Sequence, residues 1–109
     1  MGIKLTDEAL LMIAERFRVL SEPIRLKILQ ALRGGELSVS DLVNEVRIGQ
    51  PNASKHLRTL QDAGLVKRDQ RGNLAFYSIA DESIFELCEA VCDSLGNRFR
   101  EQAEIFAVV

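Results

Sequence analysis

Apolar residues recur at helical spacing in five stretches of the chain and give way to strand-like runs in two. Leu10, Ile13, Ala14, Phe17 and Leu20 stand three or four apart and predict a first helix from Thr6 to about Leu20. Thr6, ahead of Asp7 and Glu8, is its natural N-cap. Ser21-Glu22-Pro23 restarts the chain as a second helix, with serine as N-cap, an acid in the first turn and a proline where no donor is needed. Ile24, Ile28, Leu29 and Leu32 form its buried face, and Gly34-Gly35 ends it. Ser38 with Asp41 three residues on predicts a capping box for a short third helix reaching about Arg47. Gly49-Gln50-Pro51 leads into a fourth helix, backed by Leu57, Leu60 and Leu65 and ending near Gly64. Two strand-like runs follow, Leu65–Asp69 and Leu74–Ile79, joined by Gln70-Arg71-Gly72-Asn73, a turn with Gly and Asn where positive φ is tolerated. A last helix runs from Asp81 to roughly Glu104.

Helix, then hairpin with a basic tip, predicts a winged helix-turn-helix. The fold class is mainly α with a small β-hairpin wing, in the order α-α-α-α-β-β-α, as a single domain over residues 1–109. On the last helix Ile84, Leu87, Cys88, Val91, Leu95 and Phe99 fall on one stripe, with Phe85 and Cys92 at its edge. The first helix is similarly apolar. That is more apolar surface than a trihelical core with a wing requires, so both terminal helices are expected to form a two-fold homodimer interface.

Composition changes this picture little. At 109 residues, 47% hydrophobic and 28% charged, the chain has the make-up of one globular domain. Its longest apolar runs are too short to span a bilayer and no signal-peptide pattern opens it. Met1-Gly2 to Thr6 fits the loose myristoylation pattern, but a helix N-cap explains Thr6 better. Two cysteines four residues apart are no disulfide framework, so a reducing cytoplasm is the expected location, with no membrane association.

Net charge is −2, which by itself disfavours nucleic acid as a partner. The distribution reverses that inference. Between Lys55 and Arg71 five cations face two anions, a local +3, while residues 81–104 carry a local −5. Phosphate neutralisation depends on the face presented and not on the total. The basic stretch coincides with the fourth helix and the hairpin. On that helix Gln50, Asn52, Ser54, Lys55, His56 and Arg58 cluster in the first turns. Short amides, hydroxyls and cations on one helix face suit a major groove. Gln50 and Asn52 have a second reading as helix caps. Arg68 and Arg71 on the wing suit phosphate or the minor groove. Arg25 reads either as a phosphate contact or as a surface partner of Glu22.

Three segments then carry a family resemblance: residues 20–29 (LSEPIRLKIL), 36–42 (ELSVSDL) and 50–57 (QPNASKHL). Together with the order of elements over about residues 10–100, they resemble the ArsR/SmtB family of bacterial repressors. The resemblance implies a dimeric repressor, not an enzyme, that leaves an inverted-repeat operator in double-stranded DNA when an inducer binds. Arsenic- and cadmium-sensing members carry ELCVCDL where this chain has Ser38 and Ser40, and serine hydroxyls do not hold soft ions. Members that sense zinc, nickel or cobalt use a last-helix site of which only Asp81 is matched. Ser83, Ser94 and Asn97 stand at its other positions. The cysteine positions of persulfide-sensing members hold Gln30 and Gly96.

What remains is Cys88 and Cys92, which at i and i+4 lie about 6 Å apart on one helix face. Two readings stay open: small buried packing residues, or a thiol sensor for a thiophilic metal, metalloid or oxidant, completed by the partner's thiols. No other cofactor is implied. A winged-helix protein-interaction module is the alternative function. A thiol oxidoreductase is disfavoured by CxxxC spacing and the lack of a βαβ pattern.

Overall fold

The structure, a computed structural model, describes residues 4–98. Among the described residues five helices accompany a three-stranded antiparallel sheet. The order is α1 (Asp7–Leu20), α2 (Pro23–Leu32), β1 (Leu37–Ser38), α3 (Val39–Val46), α4 (Gln50–Asp62), β2 (Val66–Arg71), β3 (Leu74–Ile79) and α5 (Ser83–Arg98). The predicted plan holds, with one added strand. β1 pairs with β3 through Leu37↔Tyr77 and Ser38↔Phe76, so the sheet order is β1-β3-β2.

Local chemistry sets most of the boundaries. Thr6 Oγ1 accepts the Ala9 amide at 3.1 Å and starts α1. Ser38 and Asp41 make the reciprocal capping box that opens α3, which leaves that serine hydroxyl occupied by backbone. Arg47 then takes a left-handed conformation, φ 61°, and turns the chain from α3 into α4. Ser21 is a correction. Pro23 is the first residue of α2, so Glu22 is the N-cap, without a side-chain bond. Ser21 instead closes α1, its Oγ donating to the Arg18 carbonyl at 2.7 Å.

The second hairpin strand has the predicted bounds, while the first begins one residue later and ends two residues later than predicted. Arg71 pairs with Leu74, so Gln70 and Arg71 belong to β2 and only Gly72-Asn73 turn, with Gly72 at φ 59°. β2 lies at the sheet edge. Apart from buried Val66 it shows solvent only Lys67, Arg68, Asp69, Gln70 and Arg71.

Ile28, Leu32, Leu42, Leu57, Leu60 and Leu65 are fully buried, and Tyr77, Ile84 and Phe85 close the core from β3 and α5. Full burial of each such aliphatic side chain contributes about 1.5–3 kcal/mol. The terminal helices contribute little to this core. On α1 only Val19 and Leu20 are buried, while Leu10, Leu11, Met12, Ile13 and Phe17 are exposed. On α5 only Ile84 and Phe85 are buried, and Val91 is exposed. Phe99, and the stretch to Glu104 assigned to the last helix, lie outside the described residues. Among the described residues no helix is long and apolar enough to cross a membrane.

Candidate nucleic-acid interface

α3, the turn at Arg47–Gly49 and α4 form the helix-turn-helix. Ala53, Leu57 and Leu60, spaced i, i+4, i+7, anchor α4 in the core at 1% exposure or less. That anchoring turns Asn52, Ser54, Lys55 and Arg58 outward, all exposed. The N-cap of α4 is Gly49, with no side-chain cap. Gln50 and Asn52, at the first and third helical positions, are therefore exposed and not holding the helix end.

His56 differs from its neighbours. It is half-buried, and its Nδ1 accepts a hydrogen bond from Arg25 Nε at 3.2 Å. Arg25 in turn donates through a terminal nitrogen to the Val19 carbonyl at 3.0 Å. Of the two sequence readings for Arg25, the pairing with Glu22 is not the one made; the residue bridges α1 to α4. Burial first, then the charges of Arg25 and Lys55, hold the His56 pKa below its usual value, while Glu22 opposes them. Burial and the two cations both favour the neutral imidazole.

The wing cations divide. Among the described residues Arg68 bonds only Gln70, and no ion pair there engages Lys55, Arg58, Lys67 or Arg68. Arg71 is held: it forks onto both Glu36 oxygens at 2.6 and 2.9 Å and reaches Asp69 at 2.9 Å. It also lies 4.6 Å over the Phe76 ring. The local +3 thus overstates what this face offers to phosphate, because Glu36, 35 residues away in sequence, offsets part of it. Neither Glu36 nor the bridging role of Arg25 carried a sequence signal. Both partnerships are long-range and exist only once the sheet and helices pack.

Cys88 is exposed and Cys92 half-buried. Both line an apolar groove of about 390 Å³ with Phe17, Leu20, Leu26, Val91 and Leu95, between α1, the start of α2 and α5. Asp81 is occupied elsewhere. It accepts from Ser83 N at 3.0 Å and Ser83 Oγ at 2.5 Å, and meets Arg16 at 3.4 Å. Among the described residues no group of three or more His, Cys, Asp or Glu is placed to hold a metal ion.

An anchored recognition helix beside a basic wing on a helical core defines a winged helix-turn-helix DNA-binding transcriptional regulator. Residues 22–68 match the family described as bacterial regulatory protein, arsR family. A helix-turn-helix transcriptional regulator of Methanocaldococcus jannaschii, itself uncharacterised, is 37% identical over 79 residues, 72% of this chain and 89% of that protein. A Staphylococcus aureus homologue of the cadmium resistance regulatory protein CadC is 38% identical over 78 residues, 71% of this chain but only 64% of its own length. Among solved structures, Mycobacterium tuberculosis Rv0081 superposes with a TM-score of 0.78 at 31% identity, covering 89% of this chain and 98% of that one. A homodimeric winged helix-turn-helix DNA-binding domain from Mycobacterium bovis gives 0.70 at 30% identity, covering 85% and 91%. The chain belongs to the arsR family.

Proposed function

We propose that the protein is a homodimeric repressor that reads an inverted-repeat operator with α4 and the wing and is released by an inducer. One observation carries this reading. Gln50, Asn52, Ser54, Lys55 and Arg58 of α4 and the wing cations Lys67 and Arg68 are exposed, and so are Leu10, Leu11, Met12, Ile13 and Phe17 of α1 and Val91 of α5. Ser54, Lys55, His56 and Arg58, with Gln50 and Asn52 at the helix start, would meet bases and phosphates. Arg68 and Arg71 would follow the backbone from the wing, Arg71 only after leaving Glu36. Dimerisation through α1 and α5 would set two readers on half-sites about one DNA turn apart. The M. bovis neighbour is a homodimer. The test is binding of the full chain to duplexes selected from a random pool. A preferred inverted repeat, one dimer per site and a steep loss of affinity with salt are expected. Equal affinity for selected and random duplex at physiological salt refutes the repressor reading and favours a protein-docking role.

The inducer class that best fits this chain is thiophilic: a soft metal ion, a trivalent metalloid or an oxidant acting on Cys88 and Cys92. Cys88 is open to solvent, and both thiols lie where α1 and α5 approach each other. A three-thiolate metalloid site would need a thiol from the second subunit, which ties ligation to subunit packing and so to half-site spacing. The Cys88→Ser, Cys92→Ser double variant should hold its operator in trivalent arsenic or antimony that releases the wild type. Release unchanged in that variant, or no release of the wild type, leaves the thiols as interface packing.

A further inference from the structure

The contact between Arg25 and His56 constrains what the recognition helix can read. A guanidinium has five donors, no acceptor, and keeps its proton in proteins. Nδ1 of His56, 3.2 Å from Arg25 Nε, must therefore present a lone pair. A neutral imidazole has one proton on nitrogen, so it sits on Nε2. The guanidinium is planar and its second bond, to the Val19 carbonyl in the last turn of α1, fixes the plane. The arginine is thus braced on one helix while it orients a side chain on another.

We propose that Arg25 is a positioning residue for sequence reading, which by holding His56 as the Nε2–H tautomer makes this imidazole a donor-only probe of DNA. The proposal rests on α4 being the recognition helix. In the major groove purine N7, guanine O6 and thymine O4 accept, whereas adenine N6 and cytosine N4 donate. An Nε2–H pairs with the first group and faces an unsatisfied donor at the second. Without Arg25 either nitrogen can carry the proton, and the same side chain can accept or donate. Of the charged groups around the imidazole, Arg25 on α2 and Lys55 on α4 favour the neutral form this role needs, and Glu22 at the N-cap of α2 opposes them. A phosphate oxygen is also an acceptor, but a contact there would lose affinity without losing discrimination.

His56 is the only histidine in the chain, so one imidazole signal reports the tautomer directly. The experiment compares wild type, Arg25→Met, His56→Ala and the double variant. It measures binding to the duplex selected by the wild type and to random duplex, with nitrogen-15 spectra of the imidazole at neutral pH. Arg25→Met is expected to cut the preference for the selected duplex about tenfold, the scale of one base-edge pair, and to change nothing further once His56 is alanine. The imidazole should read as Nε2-protonated in the wild type and as a tautomer average in Arg25→Met. Arg25→Lys keeps the charge without the two-armed geometry. It should lose the same preference while unfolding at the wild-type temperature, which separates positioning from folding. Equal losses on both duplexes, or an Arg25→Met loss that persists without His56, would mark Arg25 as a phosphate contact and overturn the proposal alone. A wild type with no preferred duplex overturns the DNA reading, and this proposal with it.

Discussion

Arg71 shows how far a basic residue can be from an available charge. Glu36, Asp69 and the Phe76 ring already occupy it, so a phosphate must compete with two carboxylates. Exposed ion pairs are individually weak, and the exchange is accordingly feasible but diminished. Glu36→Gln should raise affinity a few-fold for specific and random duplex alike at low salt, measured by fluorescence anisotropy. Arg71→Ala should weaken binding less than Arg68→Ala, whose guanidinium has only an amide to leave. An Arg71→Ala loss exceeding that of Arg68→Ala would mean that the Glu36 pairing dissolves on DNA without resistance.

At the scale of elements, legibility followed the range of the deciding interaction. The capping box of α3 and the Thr6 cap of α1 close within three residues, so residue type and spacing determined both. The left-handed turn at Arg47 has no glycine to announce it, and β1 is two residues long, too short for any alternation to register. β1 exists because β3 has a free edge for Leu37 and Ser38. The misplaced cap at Ser21 has a local cause as well: with proline at the first helical position the cap must be residue 22, and the serine is left to satisfy the carbonyl end of α1. In the site, the outward face of α4 was readable because its leucines are periodic. The Arg25–His56 and Arg71–Glu36 contacts were not, because each joins residues more than 30 apart.

For the whole molecule the unequal burial of the two ends matters most. Phe17 is 49% exposed, Leu11 73% and Val91 47%, a density of apolar surface that an isolated subunit would leave in water. Leu95, half-buried in the groove beside Cys88 and Cys92, lies where a second subunit would cover it. The wild type is expected to sediment as a dimer at micromolar concentration and Leu95→Glu as a monomer, since an unpaired carboxylate buried at an interface costs several kcal/mol. A folded wild-type monomer across that range would remove α1 and α5 from the interface.

The position of β2 at the sheet edge has a consequence for any mutational survey of the wing. Among the described residues its outer backbone donors and acceptors have no partner strand, and a run of charged and polar side chains of this kind disfavours docking of a neighbouring molecule's strand. The residues that would face phosphate are therefore also the ones that guard this edge against strand pairing. Replacing several of them at once with apolar residues would lower apparent DNA affinity by removing soluble protein from the assay. Charge-reversing or amide substitutions, which leave the edge polar, report on DNA contact without that confusion.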